Sequence, residues 1–372
     1  MLLKEVKLEA TENQRGQVLK RISTSEFECS NRQLPVNKGL YHIEKDRLRY
    51  NCSVLLNPIQ THHIRYDKKK KVWMDSDLEA AKLHAQNQNR IFIPYLQKIK
   101  KALELQTWAQ SENEFQNFVS KNIQFVPYQI PPNAPFEEWE KRKETALSII
   151  HKHQELIPII PTNMNIIKFE KYLESEFKDN KLLGFNCDSL SNAYTFRNLS
   201  SLWLKTHSTK IGSNVPWTIG FGIQRMFPTF SHISAAVAYS FFGIDVYSER
   251  VFPMGDMPPE VREKITQQKP EDFFTYDPIQ AGFTQSENQN AWYENDVTRQ
   301  ALSEINLNQG IEGGYKGIRW LNFLTQKQTL HELNSAVFEG MNKLIENHSR
   351  ITAFWDLNLE QKRKRIFMAQ TN

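Results

Sequence analysis

Five short apolar runs, spaced by roughly one strand-plus-helix unit, constrain this chain more than any other feature. They are Ile123–Gln129, Leu156–Pro161, Leu182–Cys187, Pro216–Gly222 and Ile244–Glu249, and their starts lie 33, 26, 34 and 28 residues apart. A strand–helix–strand unit needs about 30 residues. The stretches between the runs read as helices: Phe136–His153 places Phe136, Trp139, Leu147 and Ile150 among charges, and Asn165–Phe177 and Ser231–Phe242 are similar, with Ser231 as an N-cap. Apolar strands alternating with helices predict a parallel sheet covered by helices. An open doubly wound sheet and a barrel both satisfy that rule. No Gly-rich phosphate loop follows any of the runs, which weighs against a dinucleotide-binding sheet. The expectation is therefore α/β, a (β/α)8 TIM-like barrel over residues 51–350 with a loop-rich insertion at 253–310, a small polar antiparallel cap over 1–50 and a basic tail over 351–372. The missing strands are sought at Ser53–Pro58, at Val72–Asp75 and beyond residue 310. Further helices are expected at Phe92–Leu105 and Gln326–Asn347.

At 372 residues the chain has room for one large α/β domain or two domains. It has no run of about 18 apolar residues, so no membrane partner is expected. The start MLLKEVKLEATENQ turns charged too early for a secretory signal. Cys29, Cys52 and Cys187 are too far apart for a disulfide framework or a zinc pattern, which fits a reducing cytoplasm. The net charge of +5 permits a polyanionic partner without demanding one. Basic runs at Lys68–Lys71, at Lys98, Lys100 and Lys101, and at Lys362, Arg363, Lys364 and Arg365 read as solvated faces or as phosphate contacts.

In parallel α/β folds function gathers at the C-terminal ends of strands. Those ends offer Gln129, Thr162 and Asn163, then Cys187, Asp188 and Ser189, then Gln224 and Arg225, and last Ser248, Glu249 and Arg250. This polar set suits a hydrogen-bonding ligand such as a base or sugar; it is also what strand ends meeting water look like. No metal and no cofactor is expected. His62 and His63 are adjacent on a strand and face opposite ways, and His151 and His153 do not share a helix face. No G-x-S-x-G elbow is present, and Gly313-Gly314 reads as a loop with backbone freedom.

Two stretches resemble the tRNA-guanine transglycosylase superfamily, which includes DNA-directed members. The first is FVPYQIPPNAPFEEWEKRKETALSII from Phe125, similar to the family's V-P-L-D-I-P followed by a charged helix. The second is WTIGFG, ending at Gly222, with AAVAYSFFGIDVYS, similar to Y-L-x-G-V-G and A-V-x-x-G-V-D-M-F-D. The resemblance spans roughly residues 120–252. It implies a (β/α)8 barrel that exchanges a guanine or 7-deazaguanine base in tRNA or DNA through a covalent intermediate on an aspartate. Position 248 matches that aspartate and is a serine; position 129 matches the base-reading aspartate and is a glutamine. The family's zinc cysteines are absent, and the nearest match to its second catalytic aspartate is Asp75 in VWMDSDLE.

A carboxylate is ionised at pH 7, whereas a serine hydroxyl needs a base. Glu249 is adjacent to Ser248, but neighbouring side chains on a strand point to opposite faces, as does Asp245 relative to Ser248. The resemblance thus implies Ser248, Glu249 and Asp75 as catalytic candidates. It implies Gln129 as the base reader; the strand ends add Asn163, Asp188, Gly222, Gln224 and Arg225 as expected substrate contacts. Arg250 and Lys362 to Arg365 are expected as nucleic-acid contacts from their charge. Three functions follow: a base-exchanging enzyme with altered residues; a non-catalytic nucleic-acid-binding barrel that partners an active subunit as a homo- or heterodimer; and a barrel enzyme on a small nucleoside or sugar.

Overall fold

The computed structural model describes residues 2–11, 18–37, 40, 58–67, 72–74, 77–96, 104–130, 134–187, 193–224, 226–227, 233–249, 258–267, 274–278, 281–285 and 315–339. Its centre is a parallel sheet of five strands: β7 (Phe125–Gln129), β8 (Glu155–Pro161), β9 (Leu182–Asn186), β10 (Trp217–Ile223) and β13 (Val246–Glu249). They lie side by side in chain order, β7-β8-β9-β10-β13. This order has no switch point, so right-handed crossovers place every connecting helix on the same face. The helices between them are α3 (Phe136–Ile149), α4 (Ile166–Asp179), α5 (Ala193–His207) and α6 (Ala235–Ser240).

Aromatic contacts identify that outer face. Tyr128 of β7 stacks on Trp139 of α3 at 4.9 Å, and Phe185 of β9 meets Phe169 of α4 at 6.0 Å. Glu176, fully buried on α4, accepts from Trp139 Nε1 at 3.2 Å and pairs with Lys143 Nζ at 2.6 Å, tying α3 to α4. Asn165 caps α4, its side chain accepting from the Ile167 amide at 2.9 Å. On α5, Asn198 donates to the carbonyls of Thr162 and Met164 and fixes the turn after β8.

Two more parallel strands precede this set. β4 (Ile59–Asp67) pairs in parallel with β6 (Ile91–Leu96), and β6 lies beside β7. The helix between them, α1 (Leu78–Asn87), is bound to β4 through Gln60, which donates to Ala81 O and meets His84 Nδ1 at 3.1 Å. Helix α2 (Glu104–Ser120) links β6 to β7. The segment Gln33–Val36 runs between β13 and β4. Gln33 N donates to Asp245 O and Tyr247 N donates to Gln33 O, while Val36 N donates to Ile59 O and Thr61 N to Val36 O.

The first three strands, β1 (Leu3–Thr11), β2 (Val18–Thr24) and β3 (Glu28–Ser30), form an antiparallel sheet. Its edge strand β1 bonds to the chain entering β10, with Val215 N donating to Val6 O, so the sheet covers the N-terminal ends of the parallel strands. At the other end, β11 (Met226–Phe227), β12 (Ile233–Ser234), β14 (Phe274–Asp277) and β15 (Gly282–Gln285) form a second antiparallel sheet. Between them in sequence, α7 spans Pro259–Gln267. The long helix α8 (Tyr315–Glu339) holds that sheet: Asn322 accepts from Tyr276 N and donates to Phe274 O, and Gln326 accepts from Ser234 Oγ at 2.8 Å.

Several expectations are corrected. Phe92–Leu105 is not one helix: residues to Leu96 are strand, in keeping with Pro94, whose missing amide suits a helix interior poorly. Val72–Met74 is a strand (β5), but antiparallel to β4, so it is not one of the parallel set. Beyond residue 310 the described chain is helix, beginning at Tyr315 rather than Gln326. The helix expected to reach His153 ends at Ile149, because Ile150 is extended and the chain must turn into β8. Ser231 lies outside the described residues, and α6 begins after Ser234, whose hydroxyl is given to Gln326 instead of a cap. The stretch expected to be loop-rich carries α7 and the β14–β15 hairpin. Residues 53–57 lie outside the described set. No helix among the described residues is long and apolar enough to cross a membrane.

Candidate functional site

The face of the five-stranded sheet turned away from the helices is defined by close approach. Gly184 sits between Ile159 and Phe221, and a Cβ there would come within 2.9 Å of both side chains. Phe221 in turn packs on Tyr95 of β6, ring centroids 4.4 Å apart, and Tyr95 stacks on His63 of β4 at 4.9 Å. Strand residues in register point the same way in a parallel pair. Phe221 is in register with Ser248 on one side and with Asn186 on the other. Ser248, Asn186, Tyr95 and His63 therefore share this inner face at the C-terminal ends of their strands.

Ser248 is completely buried, with its Oγ 2.9 Å from Thr61 Oγ1 and 3.4 Å from the Tyr95 hydroxyl. Tyr95 also reaches the Glu249 carbonyl at 3.5 Å. All of Ser248's side-chain partners among the described residues are neutral hydroxyls. That arrangement satisfies the group but supplies no base to take its proton.

The carboxylates on either side face elsewhere. Asp245 is 1 % exposed and bonded on every side: to Lys20 Nζ at 2.5 Å, to Asn31 Nδ2 at 2.6 Å, and to the Thr218 hydroxyl and amide at 2.7 and 3.0 Å. Lys20 has no exposed surface, and its ammonium also donates to Pro216 O. Burial pushes the Lys20 amine below its usual range while Asp245 pulls it back up. Arg32 nearby is lowered by burial as well, and a guanidinium keeps its proton regardless. Glu249 lies against α8, lining a small void with Asn37, Tyr247, Arg319 and Asn322.

Gly222 marks a break in the β10–β13 ladder: Phe221 pairs with Ser248 but Ile223 pairs with Glu249, and Gly222 has φ +74°. The extra residue bends the strand end, and glycine accepts the left-handed backbone it requires. Past it, Gln224 is exposed. Gln129 ends β7 half-buried, in register with Ile159 on the inner face. Asn163, half-buried after β8, has a buried side-chain oxygen that no donor reaches among the described residues. Asp75, Asp188, Arg225, Arg250, Lys362, Arg363, Lys364 and Arg365, with the lysines at 68–71, 98, 100 and 101, lie outside the described residues.

Sequence reasoning missed Thr61, His63, Tyr95 and Asn186 as members of this face. Asn186 is 6 % exposed and Gln129 half-buried, and among the described residues neither side-chain amide has a hydrogen-bond partner, so both keep donors and acceptors at the strand ends. The signal was in the sequence, as an asparagine closing an otherwise apolar strand (LLGFN), but the following Cys-Asp-Ser drew the reading three residues too far. Of the expected histidines, His62 turns to Phe92 and His63 to Tyr95, on opposite faces of β4. The sequence matches no protein-family model and no curated protein.

Proposed function

We propose that the parallel strands close into a (β/α)8 barrel whose mouth takes up a guanine-type base of tRNA or DNA, in the manner of the transglycosylase superfamily that the chain resembles. Closure is supported by Gln33–Val36, which bonds to β13 on one side and to β4 on the other and so joins the two ends of the strand series. Taken as a strand, it makes eight parallel members with β4, β6, β7, β8, β9, β10 and β13. A sheet wound in chain order with helices on one face must bury its other face, and curling on itself does so. The Tyr95–Phe221 contact between β6 and β10 is then a contact across the interior.

The observation that carries the base-binding reading is the pair of amides, Gln129 and Asn186, held at inward-facing strand ends with no hydrogen-bond partner among the described residues. Each offers a donor and an acceptor, the pairing that a base edge matches. Ser248 is the structural member of the mouth in this reading: its oxygen is spent on Thr61 and Tyr95. The attacking carboxylate falls to Asp75 or Asp188, and not to Glu249, which lies against α8.

A second reading is favoured by the neutral, buried setting of Ser248: a nucleic-acid-binding barrel without chemistry of its own, partnering an active subunit. Incorporation of radiolabelled guanine or 7-deazaguanine into tRNA and duplex DNA separates the two. Exchange that survives Ser248→Ala and is lost in Asp75→Asn or Asp188→Asn supports the enzyme. Binding of tRNA or DNA without exchange supports the partner role. Exchange abolished by Ser248→Ala in a folded protein overturns the assignment of position 248.

A further inference from the structure

Helices α4 and α5 lie side by side and run the same way, since each follows a strand of the same parallel sheet. Two contacts fix their register. Ser201 Oγ donates to Glu170 Oε1 at 2.9 Å, and one turn further along both helices Lys205 Nζ meets Glu174 Oε1 at 3.6 Å. One turn back, the same register sets Ile167 level with Arg197; two turns back, it sets Asn163 level with Tyr194. Asn198 pins that end, its amide donating to the carbonyls of Thr162 and Met164 on either side of Asn163. The groove between the two first turns therefore opens beside Asn163 and the strand end that carries Asn186. Its rim is apolar: Ile167 is 74 % and Tyr194 55 % exposed. It is also cationic. Lys168 and Arg197 are exposed, Arg197 one turn from Tyr194 on the same helix face. The acids nearby are taken: Glu170 by Ser201, Glu174 by Lys205 and Glu137 by Lys171.

Resting on the base-binding reading for where the strand enters, we infer that this groove carries the nucleic-acid strand next to the base, with Tyr194 as the ring on which a neighbouring base stacks and Arg197 on its phosphate. A single apolar side chain in water needs no explanation. Here two stand at one rim, each with a cation beside it, at the polar ends of β8 and β9. An aromatic face with a guanidinium next to it is what sequence-tolerant strand binding uses, because every base has a face to stack and every nucleotide a phosphate to pair. A second copy of this chain, docked on the same face about a two-fold axis, would set Lys168 and Arg197 against their own like charges. A polyanion neutralises them.

The test is fluorescence anisotropy of labelled tRNA and of labelled single-stranded DNA with the full chain, alongside equilibrium binding of free guanine. Tyr194→Ala weakens strand binding roughly tenfold or more, and Tyr194→Phe keeps it, because stacking needs the ring and not the hydroxyl. Arg197→Gln weakens it and lowers the salt dependence of the affinity by about one phosphate contact. Both positions are exposed, so the urea midpoint stays at the native value, and guanine binding is unaltered by either change. The tighter of the two strand arms names the polymer. Guanine binding absent from the native protein, with the Tyr194 and Arg197 effects present, removes the base reading and leaves the groove as a strand site. Strand binding that is absent, or indifferent to Tyr194→Ala and Arg197→Gln, overturns the inference, as does guanine binding lost with Tyr194. A dimer in sedimentation that Tyr194→Ala dissociates, with strand binding untouched, overturns it in favour of a second copy.

Discussion

Three residues apart at β13, the chain solves the problem of a buried polar side chain in opposite ways. Asp245, where the strand begins, is ionic and oversubscribed: an ammonium, an amide, a hydroxyl and a backbone N–H converge on one carboxylate. Ser248, near its end, is neutral and lightly held by two hydroxyls. The first cluster joins β2, the Asn31 turn, β10 and β13, so its geometry is fixed from four directions. The second shares a face with amides that have no partner among the described residues. One end is closed by its own partners; the other is the end to which the proposed function assigns the base. In (β/α)8 barrels stability concentrates at the N-terminal ends of strands and function at the C-terminal ends, and the proposed reading places the two three residues apart.

The comparison is broken most severely at Asp245. Replacing it by alanine leaves the Lys20 ammonium buried without its counter-charge, and loss of about 3–5 kcal/mol is expected in urea unfolding. Ser248→Ala removes one ordinary hydrogen bond and is expected to lose about 0.5–1.5 kcal/mol. A loss equal to that of Asp245→Ala would erase the contrast. Asn186→Ala is expected to leave stability nearly unchanged, because its amide makes no hydrogen bond among the described residues, while base binding falls. A clear destabilisation would mean that the amide already serves the fold.

The smallest effect is on pH dependence. Lys327 is held at about 8 in the folded chain against 10.5 unfolded, so above about 8 the unfolded state binds the extra proton and stability rises with pH. Cys29 acts in the other direction. Burial pushes its thiol up from 9.0 to about 12, so above 9 the unfolded chain loses that proton first and stability falls. A gain confined to the interval between the two, and flattened by Lys327→Met, is expected in denaturation curves taken across that range.

The five central strands were legible because their apolar runs recur at the length of a strand–helix unit and because the helices between them carry ordinary periodicity. β4 and β6 were not. IFIPYLQKIKKALEL can be read at either period, and only Pro94 argues for strand at its start. Gln33–Val36 is four residues long and makes two isolated bridges, too little for a pattern to register. The early turns of α8 were hidden because the helix buries Asn322, Thr325, Gln326 and Thr329 alongside its leucines, so its inner face does not look apolar. At the site, alternation along β13 correctly separated Ser248 from Asp245 and Glu249. What lay beyond the sequence was the partner across the interior: nothing local says that Thr61 and Tyr95 will meet Ser248.

In the proposed function the amides of the mouth, and not position 248, engage the base. Equilibrium binding of guanine to Asn186→Ala and Ser248→Ala, measured side by side with the native protein, tests it directly. The expected result is an affinity lowered roughly tenfold or more by Asn186→Ala and unaltered by Ser248→Ala. Binding that tolerates the loss of Asn186 but disappears with Ser248, in proteins that remain folded, would contradict it.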